Sequence, residues 1–210
     1  MALTGLFLCL FLVIHLAGNL QLLLPEEKAM TQFNLYSKIL SGNYLIKAIS
    51  WLLFLSIVVH SIFALLITIK NRKAAGPVYA YDRRKAVSKW YSRNMGLLGS
   101  IILLFLIIHL KDFWYKYSFG ELPVDGEGNK DLFSIVVSAY GEPWYVVLNI
   151  LAFIALGYHL LHGFYSAFKT LGAYPSRLSR GLYYFGIGFS VIITAGYVFI
   201  PVFVYLNYHS

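Results

Sequence analysis

Four histidines each lie in the middle of a separate apolar stretch: His15, His60, His109 and His159. A neutral imidazole is a metal ligand and titrates near neutrality. Burying one in hydrocarbon is costly, and such residues mark functional sites. One in each of four successive stretches points to two bis-histidine sites, and the usual tenant of such a site is b-type haem. His162 follows His159 by three residues and falls near the same helical face, so either could supply the fourth ligand. A small residue stands one turn beyond His60 (Ala64) and one turn beyond His159 (Gly163). That leaves room for a flat macrocycle and favours His159. His162 would then bond a haem propionate or a helix carbonyl. His209 lies at the chain's end and reads as solvated.

The elements that must position these rings are membrane helices. Of 210 residues, 59% are hydrophobic, more apolar surface than a soluble domain could cover. Five stretches are long enough to cross ~30 Å of hydrocarbon as helices: Leu3–Leu24, Tyr44–Ile69, Met95–Tyr117, Trp144–Phe168 and Tyr184–Leu206. Trp51, Trp90, Trp114, Trp144 and many tyrosines sit near their ends, as interfacial aromatic belts require. The first stretch is expected to stay as a span, since no Lys or Arg precedes it and no small-x-small site precedes Gln21. The expected fold is an all-α membrane protein of five transmembrane helices. Four of them form a bundle holding two haems b, with the fifth flanking it.

Charge sets the topology. Lys70–Arg93 holds eight basic residues against Asp82 alone, and Lys169–Arg180 holds three and no acid. Lys111–Glu142 holds three basic residues against six acids. Positive loops stay in the cytoplasm, so the N-terminus is expected inside and the C-terminus outside. The net charge of +8 is mostly this asymmetry. It is spread over loops on one membrane face rather than set on a basic domain, which argues against nucleic acid as a partner.

Depth then pairs the histidines. At ~1.5 Å of rise per residue, His15 and His109 lie about 13 to 15 residues past the inner ends of outward-running spans. His60 and His159 each lie nine residues before the inner end of an inward-running one. His15 and His109 should meet in the outer half, and His60 and His159 in the inner half.

Cys9 is the only cysteine, so iron–sulfur and thiolate-zinc sites are excluded within this chain and histidine must carry any redox centre. The longest connection, Ser118–Pro143, reads as turns with a short amphipathic piece at Leu132–Tyr140. The connection from Pro25 to Asn43 reads as a loop. Anionic propionates need donors near a membrane face, and Trp90, Tyr91, Arg93 and Lys169 are the candidates for the inner haem.

With these residues laid out, nearly the whole chain resembles the single-subunit, five-helix dihaem cytochrome b anchor of succinate dehydrogenases and fumarate reductases. The resemblance rests on His15-Leu-Ala-Gly-Asn-Leu and on His60 followed by Asn71-Arg72-Lys73-Ala74. It rests also on His109-Leu-Lys-Asp-Phe-Trp-Tyr. Its most specific part is Tyr158-His159-Leu-Leu-His162-Gly163-Phe164-Tyr165-Ser166-Ala167-Phe168, running on to Thr170-Leu171-Gly172.

The resemblance implies that His15 and His109 are axial ligands of the haem distal from the catalytic subunits, and His60 and His159 of the proximal one. It favours Trp90 and Lys169 among the propionate contacts. It implies a prokaryotic inner (cytoplasmic) membrane and two partners on the cytoplasmic side: a flavoprotein carrying FAD, and an iron–sulfur subunit docked on the basic loops. Dicarboxylate chemistry would belong to those subunits. This chain would be the quinone-reactive part of the enzyme, with menaquinone as the implied quinone. The resemblance places quinone near the distal haem, where Asn19, Gln21, Asn34, Tyr36, Ser37, Lys38 and Asp112 are the polar candidates. Some members of that family carry an acid two positions before the fourth ligand, and this chain has Gly157 there. Two other readings compete. One is a haem-b anchor of a formate dehydrogenase or hydrogenase type. The other is a transporter or assembly factor without cofactor, which the lack of paired Gly/Pro breaks at mid-span disfavours.

Overall fold

Backbone removed from water must bond to itself, so the apolar stretches fold as helices. The computed structural model describes residues 1–74, 88–172 and 179–208. Its helices are α1 (Ala2–Asn19), α2 (Glu26–Gly42), α3 (Tyr44–Ala74), α4 (Trp90–Arg93), α5 (Met95–His109), α6 (Lys116–Phe119), α7 (Leu132–Tyr140), α8 (Pro143–Thr170) and α9 (Ser179–Tyr208). A 3-10 turn, Leu20–Leu23, extends α1, and a π-helical turn, Leu110–Tyr115, joins α5 to α6. Among the described residues, five helices are long and apolar enough to cross a membrane: Ala2–Leu23, Tyr44–Ala74, Met95–Phe119, Pro143–Thr170 and Arg180–Tyr208. The described residues thus have the all-helical make-up of a multi-pass membrane protein. Each span lies where the apolar pattern put it: the starts at Tyr44 and Met95 coincide, and the other ends shift by one to five residues.

Spans one to four close a ring. The first touches the second and fourth, and the third touches the second and fourth. The first and third therefore face each other across the interior, as do the second and fourth. The fifth packs along the fourth and also reaches the first. Its Ile193, Tyr197, Ile200 and Val204 are buried, and Tyr197 donates from its hydroxyl to the Leu12 carbonyl at 2.8 Å. The fifth helix is thus an integral wall beside the first and fourth spans. At its contact with α8, a Cβ on Gly157 would lie 2.5 Å from Thr194 Oγ1, so only glycine permits that approach. The second and third spans bury far fewer of their side chains within the protein than the fourth does.

The two ends of the bundle differ. One, here the basic end, holds the chain's start, Lys70, Arg72, Lys73, Lys89, Arg93, Lys169 and Arg180. Residues 75–87 and 173–178 of its two expected docking loops lie outside the described residues, as does His209. The other end, the capped end, is covered by α2 and α7.

Here the structure departs from the sequence reading, because Glu26–Gly42 is a helix rather than a loop. Pro25 precedes it, Glu26 and Glu27 occupy its first turn, and Ala29 and Phe33 are buried one turn apart. The expected piece at Leu132–Tyr140 is α7, whose start is capped by Asp131 accepting from the Ser134 amide. Asn34 fastens the two helices together. It is fully buried, and its Nδ2 donates to Asp131 Oδ1 at 3.0 Å and to Asp125 Oδ2 at 3.2 Å. Its Oδ1 accepts from the Phe133 amide at 2.9 Å.

Candidate functional site

Each histidine projects into the ring from a helix whose other faces are apolar. The structure brings His15 and His109 together with ring centres 5.9 Å apart, and His60 and His159 with centres 6.2 Å apart. Both pairs lie on diagonals of the four-helix ring, so each spans the interior. The His60–His159 pair lies at the level of Gly5 and Gly99, where an added Cβ would meet His60 at 3.5 Å and His159 at 3.8 Å. His15 and His109 stand ten residues further along those same two helices. That sets the two pairs ~15 Å apart in depth.

The spacing within each pair bears on metal binding. A metal–imidazole bond is ~2 Å and the ring centre lies ~1 Å beyond the nitrogen, so two rings on opposite sides of one ion have centres about 6 Å apart. The ring nitrogens add to this. His109 Nδ1 and His159 Nδ1 are buried and have no hydrogen-bond partner, one in each pair. Neither meets the helix carbonyl that a ligand histidine's second nitrogen is expected to find. A buried polar atom without a partner is costly, and each of these two nitrogens is either the coordinating atom or a second nitrogen still lacking its carbonyl. Among the described residues, no three His, Cys, Asp or Glu come together to hold an ion. Two imidazoles from opposite sides fit an ion whose remaining positions a planar macrocycle fills, which is the requirement of haem. Beside His159, a Cβ on Gly163 would meet nothing within 4 Å, so space is open there.

The structure separates His159 from His162. His162 turns to α4, where its Nδ1 lies 2.9 Å from Ser92 Oγ, and the ring that faces His60 is that of His159. His60 Nδ1 lies 3.2 Å from Thr4 Oγ1. Thr4 and Ser92 were not singled out by the sequence, and neither was Tyr197, whose ring centre is 6.1 Å from that of His15. A serine or threonine in a span is common helix furniture, so only the partner reveals it.

Of the candidate propionate residues, Trp90 and Tyr91 lie beside His159's neighbour Tyr158, while Lys169 stands ten residues, ~15 Å of helix rise, beyond His159. Trp90 and Tyr91 both pack against Tyr158, with ring centres 5.9 and 6.2 Å away. Arg93 bonds the Ser88 carbonyl, and Lys169 is exposed in the last turn of α8. Lys89 donates to Tyr183 Oη at 2.9 Å, and that bond, with help from Tyr91, holds its ammonium above its usual range.

The seven candidates for a quinone region do not form one cluster. Asn19 Nδ2 donates to the His15 carbonyl at 2.7 Å, and Gln21 Nε2 to the Gly18 carbonyl at 3.1 Å. Tyr36 packs on Gly18, where a Cβ would lie 2.7 Å from its ring. Ser37 Oγ donates to the Phe33 carbonyl at 2.8 Å, and Lys38 Nζ to Asn129 Oδ1 at 2.8 Å. Asn34 is the staple already described. Asp112 lies elsewhere, on the π-helical turn, with Lys111 and Lys116 at 3.9 and 4.0 Å. It lines a cleft of about 570 Å³ with Tyr145 of α8 and Ser134 and Ser138 of α7.

The chain matches no family model, and neither its sequence nor its fold matches a curated protein or a solved structure.

Proposed function

We propose that this chain is the dihaem cytochrome b anchor of a succinate:quinone oxidoreductase, carrying electrons between an iron–sulfur partner and membrane quinone. The observation that carries this reading is the pair of diagonal histidine couples at two depths, each with ring centres about 6 Å apart. Such a ladder of two redox centres suits electron movement along the membrane normal. A transporter would have no use for two metal-spaced imidazole pairs.

In this reading His15 and His109 hold the haem nearer the capped end, and His60 and His159 the haem nearer the basic end. A haem held by these imidazoles would supply one-electron transfer. The protein's own residues do the rest. The four apolar spans keep water away from the rings. Thr4 orients His60, and Ser92 ties His162 to α4, close to where propionates would meet Trp90, Tyr91, Arg93 and Lys169. The basic end faces the cytoplasm and the iron–sulfur and flavoprotein subunits, with the capped end outside. Menaquinone is the quinone this reading favours.

The test uses membranes that contain the intact complex. Succinate should reduce the chain's b-type absorbance and fumarate should reoxidise it. Absorbance that ignores both dicarboxylates while responding to formate or hydrogen would transfer the chain to another respiratory enzyme.

A further inference from the structure

None of the four paired histidines lies on the fifth span, yet that span grips a helix that carries one. Tyr197 of α9 is 6% exposed, and its ring centre lies 6.1 Å from that of His15 with the planes 34° apart. Its hydroxyl donates to the Leu12 carbonyl at 2.8 Å. Leu12 precedes His15 by three residues and so falls near the same helical face. Gly196, the residue before Tyr197, meets α1 just beyond His15. A Cβ there would lie 2.8 Å from Leu16 Cδ2, so the bare backbone of α9 lets Leu16 close against it. Leu12 and Leu16 bracket His15, and two adjacent residues of α9 hold them both.

The same tyrosine reaches the partner histidine. Its ring stacks on Phe153 of α8, with centres 5.2 Å and planes 28° apart. Phe153 meets Phe105 of α5 at 5.4 Å, and Phe105 meets His109 at 5.5 Å. Rings from three spans thus form a belt from one imidazole of the capped-end pair to the other. The planes of those imidazoles stand at 88°, close to perpendicular. An imidazole's own torsion is broad, so its plane is set by what packs on it. Phe11 stacks on His15 at 5.1 Å, but it lies one turn earlier on α1 and moves with that helix. Tyr197 ties the ring to a different one. In the basic-end pair the comparable group is Thr4, whose Oγ1 lies 3.2 Å from His60 Nδ1.

We propose that Tyr197 is the positioning residue of the capped-end pair: with its hydroxyl anchored on Leu12 and its ring set against His15, it fixes the plane of that imidazole across from His109. The fifth span thereby sets the axial geometry of one site from outside the ligand set. The inference rests on the cytochrome reading above. Groups that hold a ligand's orientation tune the metal as well as the fold.

Electron paramagnetic resonance of the oxidised, purified complex tests it. In a ferric haem held by two imidazoles, the largest g value is highest for perpendicular ring planes and falls as they turn towards parallel. His15→Ala identifies the capped-end signal by its loss. In the unaltered complex that signal should have the higher g value of the two, since the basic-end planes stand at only 61°. Tyr197→Phe, which frees the tether and keeps the ring, should lower it. Tyr197→Leu, which also removes the ring, should lower it further, and both should leave the basic-end signal in place. Tyr208→Phe is the control. Tyr208 Oη donates to the Leu22 and Leu24 carbonyls, so it too ties α9 to the first span, but seven or more residues beyond His15. Its loss should move neither signal. An unmoved capped-end signal in Tyr197→Phe, or an equal shift in Tyr208→Phe, overturns the proposal. The order of the two g values in the unaltered complex keeps it open to refutation if the Tyr197 variants fail to fold, because a lower capped-end value overturns it as well. Pyridine haemochrome on the same samples separates the two readings. Two haems with an unmoved signal rejects only the role of Tyr197, and an unaltered complex without haem rejects the cytochrome and this role with it.

Discussion

Substituting the histidines one at a time should remove haem one site at a time. The two pairs are set ~15 Å apart by the ten residues between Gly5 and His15 and between Gly99 and His109. Effects of substitutions more than about 7–10 Å apart add independently to within ~0.5 kcal/mol. His60→Ala or His159→Ala should therefore lower haem from two to one per chain and leave the other haem's spectrum in place. His15→Ala or His109→Ala should remove the complementary one. His60→Ala with His109→Ala should leave none. His162→Ala should keep two, because its ring bonds Ser92 and does not face His60. Haem per chain by pyridine haemochrome, with the yield of folded protein in detergent as the control, reads this series. One haem in His162→Ala beside two in His159→Ala would refute the pairing. Loss of both haems from any single substitution in well-folded protein would refute the two-level geometry.

Other consequences follow from packing and charge. Gly157→Ala should cost about 1–3 kcal/mol by overpacking against Thr194, and Thr194→Ala in the same chain should recover most of it. Gly163→Ala, with open space around it, should be neutral or stabilising; thermal unfolding in detergent compares the three. Asn34→Ala should destabilise by about 3 kcal/mol, since it strands the Phe133 amide and removes donors from two carboxylates. Chemical unfolding with a probe on α7 would detect it, and an unchanged midpoint would count against the staple. For Asp125, partial burial raises the carboxyl, but hydrogen bonds led by the Asn129 amide outweigh it and hold the group below its usual range. A folded value depressed in this way adds stability above the unfolded pKa and loses it as pH falls through the folded one. Melting temperature should thus drop below pH about 4, and Asp125→Asn should flatten that drop.

Much of this arrangement was legible in the residues. Apolar runs long enough to span gave all five helices, because in hydrocarbon only helix satisfies the backbone. Counting residues along those runs paired His15 with His109 and His60 with His159, since rise per residue converts sequence into depth. What escaped was set by distant partners. Helix α2 is mixed in polarity and reads as a connection until Ala29 and Phe33 are seen buried under α7. Asn34 finds its partners 91 to 99 residues away, which no local pattern announces. Tyr197 left no signal, because it sits inside the fifth span and its partners, the Leu12 carbonyl and the His15 ring, lie more than 180 residues away.

The most direct test of the central claim is haem stoichiometry: a dithionite-reduced minus oxidised spectrum with pyridine haemochrome quantitation on the purified complex. Two low-spin haems b per chain are expected from the two histidine couples. A preparation that is folded, complete and colourless would contradict the cytochrome reading outright.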